Sequence, residues 1–215
     1  MAVSLPNGVI LSLATGYGAV KPVTGITNAT PAVLTSAAHG LAANALIELK
    51  SGWQKLNERI FRVADPAAGS FALAGADTQS AVQFPAGTGN GSLREITAFT
   101  QITQVLETST SGGEMQFATY SFLENDFEAQ IPTQASAQSL TFTIADDPSL
   151  PGYKALQAAA EARDVRALRI AFPNGSVLLY NGYVSFNETP SMTKGEVMGV
   201  QATFSLLSRP VRYAA

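Results

Sequence analysis

The sequence predicts a mainly β protein: a β-sandwich or half-barrel flanked by one α-helix, with a small β-barrel domain inserted near its start. Three observations carry this. Leu168, Ile170 and Phe172 alternate with Ala167, Arg169 and Ala171, and Val200, Ala202, Phe204 and Leu206 alternate with Gly199, Gln201, Thr203 and Ser205, the period of strands with one buried face. Eighteen glycines and eleven prolines among 215 residues suit short strands and tight turns rather than helical bundles. Between residues 25 and 95, short apolar runs recur at ~8–12-residue spacing between Gly, Pro and Asn, as in a small barrel.

Taken in order, residues 9–13 form a first strand that ends at the turn Gly16-Tyr17-Gly18. The inserted domain follows over 25–95, with strands at 45–49, 56–63 and 69–73 and a glycine-rich close at 85–91. The flanking segments, 1–24 and 96–215, make one discontinuous domain. Within it, a helix lies around 146–163, capped by Asp147 or Ser149, with Pro148 or Pro151 in its first turn and Tyr153, Leu156, Ala160 and Arg163 on one face. The strand at 167–172 turns at Pro173-Asn174-Gly175 and returns through 177–180. Asn181-Gly182 is a second turn signal, after which the chain continues through 183–186 and ends on the strand at 200–206.

Composition narrows the function. Only 13% of residues are charged and the net charge is −3, which argues against general phosphate-backbone binding. Five basic residues balance five acidic ones over 25–95, so the whole net charge belongs to the flanking domain. With no cysteine there is no disulfide or thiolate metal site. Residues 1–14 lack a basic n-region and are broken by Pro6 and Gly8, so no signal peptide is expected, and no apolar run approaches the ~20 residues that span a bilayer.

Catalytic chemistry finds little to work with. His39 is the only histidine and sits in a turn-like Ala-His-Gly context, where a structural role is expected. Glu124, Asp126 and Glu128 alternate as carboxylates on one side of an extended segment, but no loop glycine or sugar platform accompanies them. Residues 87–91 (Gly-Thr-Gly-Asn-Gly) read as a turn, since no Gly-Lys-Ser/Thr or helix follows. Trp53 reads as the barrel's core anchor. Arg166 and Arg169, among apolar neighbours, read as snorkelling or as pairing with a carboxylate of another subunit. The expectation is a non-enzyme without cofactor or metal.

The wording of the chain is more specific than its pattern. Gly113-Glu114, the run Tyr120-Ser121-Phe122-Leu123-Glu124-Asn125-Asp126, the strand Ser139-Leu140-Thr141-Phe142-Thr143-Ile144-Ala145, the helix at 153–163 and the closing strands follow one another in an order that resembles the tail tube proteins of long-tailed, non-contractile, lambda-like phages. His39-Gly40-Leu41 and residues 56–63 resemble, in fold only, the small barrel beside the first catalytic-cysteine half-domain of ubiquitin-activating enzymes.

The tail tube resemblance implies a virion protein, assembled in the host cytoplasm into six-membered rings. Each subunit would give four strands to an inner barrel, and the rings would stack into a conduit for duplex DNA. About 24 strands at ~4.8 Å spacing and ~40° tilt give a backbone diameter near 48 Å. The expected partners are further copies of this chain and the tape-measure, terminator and tail-tip proteins, with no membrane. Glu114, Tyr120, Phe122, Glu124, Asp126, Phe127 and Glu128 are then the candidates for inter-ring, inter-subunit or lumen positions, with Arg166, Arg169 and Lys194 as pairing cations. Two alternatives stay open: a related ring protein (a tail terminator, baseplate hub or secretion-system tube), or a virion protein that binds the host surface.

Overall fold

The computed structural model describes residues 7–215. The first six residues, which the sequence assigns to the flanking domain and to the segment without a leader, lie outside the described residues.

The chain runs β1 (Ile10–Tyr17), β2 (Lys21–Val23), β3 (Gly25–Ile26), β4 (Val33–Thr35), β5 (Leu46–Ser51), β6 (Arg59–Ala64), β7 (Ser70–Leu73), β8 (Gly91–Ile102), β9 (Val105–Ser111), β10 (Met115–Tyr120), β11 (Ala129–Ala135), β12 (Ser139–Ala145), α1 (Pro151–Ala162), β13 (Arg166–Ala171), β14 (Val177–Ser191), β15 (Gly199–Leu206) and β16 (Val211–Tyr213). One path of hydrogen-bonded strands, β3-β4-β7-β6-β5-β8-β1-β13-β14-β15-β12-β9, winds through almost all of it, with β2 on β8 and β16 on β14. Only β10 and β11 stand apart, as a two-stranded hairpin.

Strand β8 is shared. Its first residues, from Gly91 to Glu95, pair with β5, and its remainder, from Ile96 to Ile102, pairs with β1. The expected boundary at residue 95 therefore falls inside a continuous strand. Lys21 to Val23 pair with Leu93 to Gly91, so the two crossings between the segments lie side by side.

Three apolar clusters follow. The first packs Leu140, Phe142 and Ile144 of β12 and Val200, Ala202 and Phe204 of β15 against Leu11, Leu13, Leu168, Ile170 and the helix. The second fills the 25–95 barrel around Trp53, Phe61, Phe71 and Leu93. The third joins them, with Ile60 from the barrel meeting Ala14, Ile96, Ala167, Leu179 and Tyr213. Tyr213 seals this joint: its hydroxyl accepts from the Arg62 N–H at 2.8 Å, and the Arg62 guanidinium lies 4.3 Å from its ring centre.

Several local expectations are corrected. Asn181-Gly182 is not a turn but the middle of the 15-residue strand β14. A Cβ at position 182 would run into the carbonyl of Ser205 on β15, so glycine is needed there for close approach rather than for a bend. Gly16 is likewise a bulge within β1, where the register against β8 shifts, and the strand continues through Tyr17.

The helix starts later than its acidic residues suggest. Leu150 is its N-cap, without a side-chain cap, and Pro151 opens the first turn; the Asp147 carboxylate instead accepts from the Ser149 N–H and hydroxyl ahead of it. Those two bonds hold the Asp147 pKa below the usual carboxylate value. The helix buries Gly152, Tyr153, Leu156 and Ala159, with Gly152 close against the Gln101 carbonyl; Ala160 is half-buried against the same core and Arg163 is exposed. In β13, Ala167 is buried too, so both faces are covered at that point.

Candidate functional site

Strand alternation that buries one face leaves the other in water. The four strands at one side of the sheet, β9, β12, β15 and β14, leave a face of unusual uniformity. Register aligns three rows across it: Ser111, Ser139, Ser205 and Tyr183; then Ser109, Thr141, Thr203 and Ser185; then Glu107, Thr143, Gln201 and Asn187. Hydroxyls dominate, and they bond along the rows, with Thr141 Oγ1 3.2 Å from Thr203 Oγ1 and Thr143 Oγ1 donating to Glu107 Oε1 at 3.3 Å. None of these side chains is cationic, and Glu107 is the single anion.

Among the described residues, this four-stranded face ends in two open edges. β9 pairs only with β12. The other edge is the far part of β14: β13 and β16 occupy its first residues, 177–182, and its residues beyond Gly182 pair only with β15. Such edges in a subunit are pairing templates for another chain.

The second feature leaves the sheet where β9 ends. Gly112 and Gly113 take φ of +78° and +84° and swing the chain out into the β10–β11 hairpin. A Cβ at Gly112 would strike the Ala137 carbonyl, so the two legs of this arm leave in close contact. The segment that carries Glu114 and the run 120–126 is a hairpin with Tyr120↔Ala129 and Ala118↔Ile131 pairs. Every residue of β10 is exposed, and so is β11 beyond Ala129. Tyr120 and Phe122 touch edge to face at 5.6 Å, while Leu123 and Phe127 at the tip stand in solvent, Phe127 at 76%.

The arm brings together seven of the residues singled out from sequence. Glu114 lies at its root, its backbone bonded to Ser136; Tyr120, Phe122, Glu124, Asp126, Phe127 and Glu128 form its outer end. The three cations are elsewhere. Arg166 is held within its own chain, 3.5 Å from Asp164 and near the Tyr17 ring, and Arg169 lies 4.4 Å over the ring of Phe99. Lys194 sits in the exposed 192–198 turn at the opposite end of the sheet from the arm. The Ser/Thr face was missed because no residue in it looks chemical; its signal was the Ser/Thr/Gln alternation opposite the buried apolar positions.

Elsewhere the polar groups are architectural. His39 is buried, with Nδ1 accepting from the Leu41 N–H and Nε2 2.6 Å from the Ala67 carbonyl. Trp53 Nε1 donates to the Pro85 carbonyl and the Thr88 hydroxyl, both at 2.9 Å. The Arg94 guanidinium pairs with buried Glu48 at 2.7 Å and covers the Tyr17 ring at 4.0 Å, while the Tyr17 hydroxyl accepts from the Ala167 N–H at 2.8 Å. Burial pushes the Tyr17 phenol up to about 12. Among the described residues no His/Asp/Glu cluster could hold a metal ion, and no helix is long and apolar enough to cross a membrane.

Compared with known families, residues 51–215 match the model of the phage tail tube protein family. The chain belongs to that family. The match begins at the end of β5 and so includes the later strands of the barrel and every element from β9 to β16, while β1 to β4 lie before it. This tail tube protein is a structural component of the virion tail. Among solved structures it is similar to the tube-terminating cap of the anti-feeding prophage, at 19% identity and a TM-score of 0.37, over 54% of this chain and 83% of that one. No curated protein matches it.

Proposed function

We propose that this tail tube protein builds the bore of a long-tailed, non-contractile phage tail from stacked hexameric rings, and that the Ser/Thr face of β9, β12, β15 and β14 lines the bore. The observation that carries this reading is the coincidence of a cation-free, hydroxyl-rich face with two open strand edges. In a ring, the β9 edge of one copy meets the far part of β14 in the next. The strand directions alternate across the four strands, so this junction is antiparallel like its neighbours. Six copies then close a continuous barrel with no edge left over.

The chemistry of that wall suits passage without capture. Duplex DNA carries one negative charge per ~1.7 Å, and cations along a wall would bind it through counterion release. Hydroxyls and one carboxylate per copy would not. The 25–95 barrel, which we read as an inserted module of fold-only likeness to the ubiquitin-activating enzyme barrel, sits outside that wall. The tape-measure, terminator and tail-tip proteins are the partners this reading expects.

Electron microscopy of the concentrated protein tests the assembly; six-fold rings or tubes are the expected result. The wall is tested by Thr141→Lys with Thr203→Lys, two adjacent positions on the exposed face. Tubes should still form, with DNA delivery slowed at least tenfold at low salt and recovering as salt is raised. Unimpaired delivery by tubes carrying both lysines would remove this face from the bore.

A further inference from the structure

Unmet hydrogen-bonding groups gather at one place, where the barrel meets the end of the sheet. Between residues 54–59, which lead from β5 into β6, and residues 207–209, which leave β15, lies a cleft of about 400 Å³. Glu58 takes φ of +54° there, a conformation that L residues rarely adopt. Its carbonyl accepts from Asn181 Nδ2 at 3.2 Å and from the Ser208 hydroxyl at 2.6 Å, which ties the two walls together. Among the described residues, six buried side-chain polar atoms lack a partner, and three of them are here: Arg59 Nε, Glu58 Oε2 and Asn181 Oδ1. Buried polar groups are ordinarily paired, so three unpaired ones around a single cleft point to a ligand.

Their chemistry narrows its class. Arg59 Nε donates, while Glu58 Oε2 and Asn181 Oδ1 accept. The Asn181 orientation is fixed, because the Glu58 carbonyl that its amide meets can only accept. A matching ligand therefore accepts at one point and donates at others.

Charge narrows it further. Lys55, Arg59 and Arg209 line the cleft, and its one carboxylate, Glu58, is already paired with Lys50 at 3.5 Å. Lys55 Nζ donates to the neutral amide of Gln83 at 2.6 Å, and Arg59 donates to the Lys55 carbonyl at 3.0 Å, so neither charge is neutralised within the chain. The Arg59 pKa is pushed down chiefly by burial and further by the charge of Arg209, and an anion between the two relieves the second effect. Three cations without an anion suit a dianion better than a carboxylate. A phosphomonoester carries about −1.5 to −2 near pH 7 and offers the paired oxygens that a guanidinium fork reads. Hydroxyls on the carbons that bear it supply the donors. The cleft suits a phosphate on a chain or ring of about three to six carbons.

We propose that this cleft binds a phosphomonoester of a sugar or polyol, with Arg59 and Arg209 on the phosphate and Asn181 and Glu58 on its hydroxyls. The site belongs to a single subunit and does not rest on the ring reading above. Because its walls come from the barrel and from the end of the sheet, an occupant would tie one to the other.

Calorimetric titration of the full-length protein at low salt, with glucose 6-phosphate, inorganic phosphate and glucose, tests this. Glucose 6-phosphate should fill one site per chain, at least tenfold more tightly than inorganic phosphate, and glucose should give no binding heat. Arg209→Gln, at an exposed position, should weaken glucose 6-phosphate at least tenfold and leave circular dichroism unchanged. Arg59→Lys, which keeps the charge but not Nε, should weaken it about fivefold. Glu58→Ala should bring the two phosphates to within about twofold of each other. Amylose phosphorylated on its 6-hydroxyls separates the two sources: competition with glucose 6-phosphate places the ester on a glycan, and no competition leaves the free ester as the ligand. No saturable binding of either phosphate by the folded protein, or binding that Arg209→Gln leaves unchanged, would overturn the site. Equal affinity of the unmodified protein for glucose 6-phosphate and inorganic phosphate would overturn the choice of ligand.

Discussion

The 25–95 barrel and the β10–β11 arm use the same kinds of residue to opposite ends. In the barrel, Trp53 is 2% exposed, stacks edge to face with Phe84 at 5.2 Å and has its indole N–H fully bonded. In the arm, Phe117, Phe122, Leu123 and Phe127 face water. Apolar surface left exposed costs solubility, and monomers that keep a contiguous patch usually keep it for a partner. The difference teaches that this chain keeps two separate sets of aromatic residues, one packed in a core and one held out in solvent. That separation can be broken experimentally, or sharpened.

Trp53→Ala is the largest expected effect. It removes a buried side chain from a packed core and should lower stability by about 3–5 kcal/mol, read as a fall in the urea midpoint. A much smaller loss would mean that the barrel is held mainly by its joint with the sheet, and the contrast with the arm would weaken.

The joint itself is probed by pH. Folding raises the Tyr17 phenol from its ordinary 10 to about 12, so the folded state favours the neutral form. Its contribution is fully present below pH 10 and is lost as pH rises through 12, a fall of about 2–3 kcal/mol. Tyr17→Phe should cost about 1 kcal/mol at neutral pH, by orphaning the Ala167 N–H, and should flatten part of the alkaline fall. Tyr180 and Tyr213, also raised by burial, account for the remainder. Urea unfolding between pH 8 and 12 reads both.

The smallest effect on stability is expected where the effect on assembly is greatest. Phe122→Ser with Phe127→Ser should leave subunit stability within about 0.5 kcal/mol, since nothing packs on either ring except Tyr120, and should abolish tubes. A large stability loss would mean that the arm folds back on its own subunit.

Much of this fold was legible in sequence because alternation is local. The strands at 167–172 and 200–206 and the single helix could be read from periodicity, and the strand at 139–145 from the family resemblance. What failed was context. Asn-Gly is a strong turn signal, yet at 181–182 a neighbouring strand's carbonyl needs the space that glycine leaves. The capping carboxylate of Asp147 found a nearer partner in Ser149. The arm's residues were grouped by their aromatic and acidic texture, and Arg166 and Arg169 were joined to them on charge. Within the chain these two lie by the rings of Tyr17 and Phe99, more than sixty positions away in sequence. No periodicity records such encounters.

Because β8 passes from barrel to sheet without a break, and β2 runs beside it, the barrel has no swivel. In a helical stack it would project at one fixed azimuth from every copy, like the thread of a screw. The spacing of those projections along the outside would then report the rotation from ring to ring directly, and a low-resolution image of the surface would carry the helical symmetry of the bore.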